Sequence, residues 1–403
     1  MTYATNLIEQ LGKDAPFHWF LYDRAKRNPR YDLADFTHQA AQLEAHLDAL
    51  GLAWQAGAPV ADWLTPDDWG TPFVLATLGV RYQQPDLFAQ ALDLLSTDEE
   101  THRRELVDAC LWHPSEDLTP WLLALHRHTS PVARQSAIAI AVSQAQPLHD
   151  RILQDYCDDP APLVRCQLLR YLGERQQADQ LGLIRDHYTN ADPDIAFAAA
   201  RSGVLLGDAD AQQALTPFAL RDNVHLPEAL TLIFARARDP AQRADWLEKM
   251  RADTALPPHI FVHAVGVAGH PAYLSHLWAA LADPHLCRAA GAAFSLITGI
   301  DLEEAELDAT TSDTPEAESM SDWEDDLPVP DPTAIQAWWQ QHQADFAIDQ
   351  TWLAGVPITD AAALQHILQH GNQSQRHLAA LYLHLNHQHP YLDCGWPPWR
   401  QQK

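Results

Sequence analysis

The chain has 403 residues, of which 47% are apolar and 20% charged. That length exceeds what one hydrophobic core usually serves, so two or three domains or one extended repeat array are expected, and the composition excludes a disordered chain. With 54 acidic against 26 basic side chains the formal charge is −28, a surface that repels nucleic-acid backbones and anionic lipid, so neither is expected as a direct partner.

Residues 1–100 read as helical without a clean period and are expected to form an N-terminal cap. An amphipathic segment covers 35–50, and a helix opens behind Pro85 and runs over 86–95. From residue 101 a period emerges. Pro131, Pro162 and Pro193 are spaced by 31 and 31 residues, followed by Pro227 after 34, Pro258 after 31 and Pro284 after 26. Each is expected to open a helix, because proline fits the first turn, where its missing N–H would have no partner anyway. Asp159, Asp192 and Asp283, each just before a proline, are expected to cap free amides. Gly173, Gly207 and Gly269 are expected to close the same runs as left-handed residues past the helix ends. One helical hairpin per roughly 30 residues follows. Within it Val164, Leu168, Leu169 and Leu172 face a core, and alanines such as Ala198, Ala199 and Ala200 allow close helix approach. The pattern resembles the HEAT-repeat class and predicts an all-α, right-handed HEAT-like α-solenoid of about six hairpins over 101–300, capped by helices at both ends.

Residues 301–332 hold 13 acidic side chains and no basic one, together with Pro315, Pro328, Pro330 and Pro332. They are expected to be a poorly ordered linker. Residues 333–403 restart with a helix over 335–346, a turn at 353–357, helices over 360–370 and 373–385, and an aromatic tail at Trp396 and Trp399. They read as a small C-terminal helical cap.

Several elements of the last third carry a more specific resemblance. These are the run Ala289 to Leu302, then Asp325 to Pro332, then Ala337-Trp338-Trp339, then Leu353-Ala354-Gly355-Val356-Pro357. In order and spacing they resemble an uncharacterised family of bacterial HEAT-like proteins whose genes lie near type VI secretion clusters and their toxic effectors. The resemblance implies a genomic context and a class of partner, and it carries no catalytic or cofactor-binding residue onto this chain.

Enzyme signatures fail on inspection. No G-x-G-x-x-G, P-loop or G-x-S-x-G stretch is present. Among 22 histidines, His366 and His370 stand four apart on an expected helix, as do His259 and His263, while His384, His387 and His389 cluster near the end. No carboxylate or cysteine supplies an obvious third ligand, so no metal or cofactor is expected. Glu303-Glu304 and Asp325-Asp326 lie in too polar a stretch for burial to raise a carboxyl pKa. The five cysteines are odd in number and lack a C-x-x-C pair, which suits small residues in a reducing compartment. No secretion signal and no stretch of roughly 18 apolar residues is read from the sequence, so a cytoplasmic address is expected.

Two readings of the tryptophans stay open. Trp338, Trp339, Trp396 and Trp399 either pin chain segments onto neighbouring helices or, beside an acidic rim, anchor a partner. Trp323, within Asp322-Trp323-Glu324-Asp325-Asp326, has little local core to join. Trp323, Glu324, Asp325, Asp326, Trp338 and Trp339 are therefore the candidate partner-binding residues. The expected function is a non-enzymatic protein-binding scaffold linked to type VI secretion, an adaptor or chaperone for an effector toxin or its carrier. The alternatives are a cytosolic immunity protein that blocks a toxin and a HEAT-like enzyme with an unrecognised site.

Overall fold

A computed structural model describes residues 2–66, 68–95, 99–112, 118–144, 147–237, 239–309 and 326–401. Among the described residues the fold is all-α, with twenty α-helices and a single two-stranded hairpin. Two compact units emerge: Met1–Lys26, Leu33–Ser202 and Gly395–Lys403 form the first, and Arg27–Asp32 and Gly203–Cys394 the second.

The first unit contains α1 (Thr2–Ala25), α2 (Leu33–Gln55), α3 (Thr71–Arg81), α4 (Pro85–Asp93), α5 (Glu99–Leu111), α6 (Thr119–His126), α7 (Pro131–Ala141), α8 (Asp150–Cys157), α9 (Pro162–Glu174), α10 (Leu181–Asp186) and α11 (Pro193–Leu205) through Ser202. Helix α1 pairs with α2 and α3 with α4, after which α3 lies on α5, α5 on α7 and α7 on α9. Ser202 of α11 donates from its hydroxyl to the Leu169 carbonyl at 2.7 Å, which continues the stack from α9 to α11. The shorter helices α6 and α8 pack on α7 and α9, the longer helices that follow them.

Why the chain stacks this way is written in its helix starts. Pro131, Pro162 and Pro193 each stand first in α7, α9 and α11. Asp192 caps α11 by accepting from Asp194 N at 3.0 Å and Ile195 N at 3.4 Å. Asp159 acts differently. Its carboxylate takes Arg134 Nε at 2.6 Å, Arg134 Nη2 at 3.0 Å and the Ala161 amide at 2.9 Å, so it ties α7 to the entry of α9. Gly173 corrects the expected closing glycine. It lies inside α9, and a Cβ there would come within 2.7 Å of the Cα, Cβ and Oγ of Ser202. Its absent side chain permits close helix approach, while Gln176 takes the left-handed turn instead.

Near the start of the chain the core is aromatic. Trp112 meets Tyr22, Phe73 and Trp399 edge-on at ring separations of 5.0, 5.4 and 4.9 Å, and Tyr22 stacks on Phe36 at 5.0 Å. Buried beside it, Asp108 accepts from Trp19 Nε1 at 3.1 Å and from Lys26 Nζ at 2.6 Å. Burial pushes the Asp108 carboxyl up, against the pull of Lys26.

The second unit contains α12 (Ala211–Ala219), α13 (Leu226–Arg236), α14 (Pro240–Ala252), α15 (Pro258–Ala268), α16 (Trp278–Leu281), α17 (Cys287–Thr298), α18 (Pro332–His342), α19 (Ala361–His370) and α20 (Gln373–His387). Helix α13 lies on α15 and α15 on α17, with α12, α14 and α16 each packed on the helix that follows it. Pro258 opens α15, and Pro227 stands in the first turn of α13. Pro284 departs from the expectation: the helix begins three residues later at Cys287, after a turn in which Asp283 Oδ1 accepts from His285 N at 2.8 Å. Gly207 and Gly269 take the expected left-handed conformation, with φ of 79° and 63°.

Arg243, fully buried, organises the middle of this unit. Its Nε donates to the Ala237 carbonyl at 2.9 Å and its Nη1 to the Ala268 carbonyl at 2.7 Å, the ends of α13 and α15, while Nη1 also reaches the Tyr382 hydroxyl at 3.3 Å. Carbonyls at two helix C-termini supply the partial negative charge that offsets the cation's desolvation. The turn expected at 353–357 is the hairpin β1 (Trp352–Leu353) and β2 (Val356–Pro357). Ala354 and Gly355 both have positive φ, 48° and 78°, as a two-residue hairpin turn requires.

Candidate interaction surfaces

The acidic stretch is built into the fold at both ends. Residues 301–307 form a turn in which Asp301 Oδ1 accepts from Glu303 N at 2.9 Å and Glu304 N at 3.1 Å. Ala309 N donates to Val329 O at 2.7 Å and Asp331 N to Leu307 O at 2.8 Å, so 308 and 330 pair as a short antiparallel bridge. Leu302, Leu307 and Leu327 are buried, which explains why the ends of so polar a run fold.

Asp326 stands at the foot of this stem. It is exposed, yet its Oδ2 accepts from Asn28 Nδ2 at 2.8 Å and its carbonyl accepts from Arg30 Nη1 at 2.8 Å. Arg30 also pairs with Glu303, and Arg288 donates to the Leu327 carbonyl. Trp323, Glu324 and Asp325 lie outside the described residues.

Trp338 and Trp339 project from α18, whose start is capped by Asp331 Oδ1 accepting from Thr333 N at 2.8 Å and Ala334 N at 3.0 Å. Both are half-buried. Trp338 meets Phe294 of α17 at 5.7 Å and stacks on His342 at 4.2 Å, and Trp339 meets Phe346 at 5.4 Å. Phe346 leads on to Trp352 of the hairpin at 4.9 Å. These rings hold α18 and the hairpin against α17, and what remains exposed lies on the same side chains. Asp326, Trp338 and Trp339 thus all belong to the second unit.

Two of the clustered C-terminal histidines are held by backbone carbonyls. His384 Nδ1 lies 2.8 Å from the His389 carbonyl and its Nε2 3.1 Å from the Leu205 carbonyl, while His387 Nε2 lies 3.2 Å from the Ile358 carbonyl. His366 and His370 are exposed on α19 with rings 4.3 Å apart. Among the described residues no group of three or more His, Cys, Asp or Glu is placed to hold a metal ion. Burial pushes the Cys110, Cys166 and Cys394 thiols up to about 12, so they stay protonated.

One surface was missed by sequence reasoning. Phe17 and Trp69, 58% and 57% exposed, are joined through Phe20: Phe17 stacks on Phe20 at 6.3 Å and Phe20 meets Trp69 at 5.9 Å. The available signal was the run Phe17-His18-Trp19-Phe20. Residues two apart lie on nearly opposite sides of a helix, so a helix packed on one side that buries Trp19 turns Phe17 outward.

The fold and its surfaces define an all-helical protein of stacked helices with aromatic and acidic exposed elements. Searches against protein-family models, curated proteins and solved structures each return no match. No described helix is long and apolar enough to cross a membrane.

Proposed function

We propose that the chain is a HEAT-like α-solenoid acting as a non-enzymatic, cytoplasmic protein-binding scaffold linked to type VI secretion, where it holds an effector toxin or its carrier as adaptor or chaperone. The observation that carries this reading is the repeated stack: α3, α5, α7 and α9 in the first unit and α13, α15 and α17 in the second, each long helix lying on the next. Stacked helical repeats present extended surfaces suited to protein partners. The link to secretion rests on the family resemblance of the last third of the chain. Trp323, Glu324, Asp325 and Asp326 are the proposed partner-contacting residues of the acidic stretch, and Trp338 and Trp339 contribute their exposed edges.

A second reading, an immunity protein that blocks a toxin, draws on the net charge of −28, which complements a basic nuclease and accelerates encounter. Gene deletion separates the two. Loss of effector export without killing by sister cells supports the adaptor, whereas killing by sister cells supports immunity. Unchanged export and unchanged survival refute both.

A further inference from the structure

The Phe17–Phe20–Trp69 face has the features of a preformed docking site rather than of an incompletely buried core. Trp69 sits on a turn held by hydrogen bonds on either side of it. Asp68 N donates to Thr65 O at 3.1 Å, Thr71 N to Asp68 O at 3.1 Å, and the Thr71 hydroxyl to Thr65 O at 2.8 Å. Gly70, next to Trp69, has φ of 94° and lies so close to α1 that a Cβ would collide with the Pro16 backbone. Its N–H donates to Glu105 Oε1 at 2.5 Å, and the Glu105 side chain is wholly buried. A buried carboxylate, its other oxygen 2.8 Å from His102 Nδ1, thus helps to hold the turn that displays an exposed indole. A side chain displayed on a rigid turn loses little entropy on binding, which is how aromatic anchors contribute most.

Charge selects the partner. Asp62 and Asp68 are exposed on the segment that carries Trp69. The cations that flank Phe17 and Phe20 in the sequence of α1 are Lys13, paired with Glu9 at 2.8 Å, and Arg24. Exposed carboxylates beside an indole favour a cationic side chain, which the ring face also attracts. A net charge of −28 works against a second copy and against anionic lipid.

We infer that Phe17, Phe20 and Trp69 form a docking site for a basic amphipathic segment of a partner protein, aliphatic side chains lying on the rings and an arginine or lysine reaching Asp62 and Asp68. This deepens the scaffold reading and rests on it.

The test uses the full chain and a synthetic amphipathic helix of leucine and arginine, with a leucine–glutamate counterpart, phosphatidylcholine vesicles and sedimentation of the protein alone. The arginine peptide is expected to bind, with Trp69→Ala and Phe17→Ala each weakening it about tenfold at unchanged melting temperature. Asp68→Lys is expected to weaken it and to flatten its salt dependence. The site is overturned if wild type does not bind the arginine peptide or if both aromatic variants bind it as tightly as wild type. It is equally overturned by equal binding of the glutamate peptide, by Trp69-dependent binding to the vesicles, or by a Trp69-dependent dimer. The scaffold reading is judged apart, by effector export and co-purification, so either can fail while the other stands.

Discussion

Replacing Asp159 with asparagine keeps the shape of the side chain and removes its charge at the point where α7 is tied to α9. In the native structure the carboxylate receives both Nε and Nη2 of Arg134, at 2.6 and 3.0 Å, while Arg134 Nη1 donates to the His128 and Thr129 carbonyls at 3.0 and 2.8 Å. Asp159 is 6% exposed and the Arg134 side chain 17%. A pair this shielded costs more to break than a surface pair, although the arginine keeps its two carbonyls and the introduced carboxamide oxygen still accepts from the Ala161 amide. The expected loss is about 2–3 kcal/mol, below the 3–5 of a wholly buried pair. For a unit of this size that lowers Tm by roughly 5–10 °C. The pH dependence gives a second handle. Burial alone would push the Asp159 carboxyl up, but the Arg134 hydrogen bonds, the Ala161 amide and the charges of Arg134 and Arg165 hold it below the usual carboxylate range. A depressed native pKa contributes stability that is present above the unfolded value and disappears as pH falls through the native one. The gap between wild type and D159N should therefore be full at pH 7 and narrow as the medium is acidified below about 4. Urea titrations on wild type, D159N, Arg134→Gln and the double variant provide the assay. Additive losses in that cycle, or a gap that does not narrow in acid, refute the reasoning.

Three further outcomes follow from the geometry. Gly173→Val should cost about 2–3 kcal/mol, because its side chain meets Ser202, whereas Gly182→Ala, with nothing within 4 Å, should be neutral or slightly stabilising; thermal melts compare them. Cys110 and Cys394, fully buried and with their thiols pushed up to about 12, should resist a thiol reagent at pH 8 and react only in denaturant, as counted by mass spectrometry. Trp399→Ala removes the edge-on contact with Trp112 at 4.9 Å and should destabilise the first unit by about 2 kcal/mol, read from its melting transition.

What was legible in the sequence is what local chemistry decides. Pro131, Pro162, Pro193 and Pro258 announce helix starts because a ring at the first position acts through its own backbone, and Gly207 and Gly269 announce left-handed residues for the same reason. Gly173 deceived because its purpose is tertiary: the space it leaves is filled by Ser202, 29 residues on. Composition reads the ends of the acidic stretch as linker, yet Leu302, Leu307 and Leu327 are buried and Asn28, nearly three hundred residues away, holds Asp326. The aromatic face escaped because exposure of Phe17 and Trp69 depends on which neighbours the helices bring, and Glu105, which fixes the turn, lies 35 residues from Gly70.

The way the two units share the chain has a bearing on biosynthesis. Residues 27–32 are made early but belong with 203–394, and residues 395–403, which include Trp399 and Arg400, are made after the whole of the second unit and belong with the first. Arg400 Nε donates to the Leu111 carbonyl at 3.0 Å, next to the Trp112 ring that Trp399 covers. A ribosome that has just added Ser202 therefore carries a nearly complete first unit with one flank of Trp112 still bare, and the segment that covers it is translated roughly 200 codons later, some 10–40 s at ordinary elongation rates. During that interval the nascent chain offers an apolar site to chaperones that attend the ribosome, and final closure of the first unit waits until the second has been synthesised.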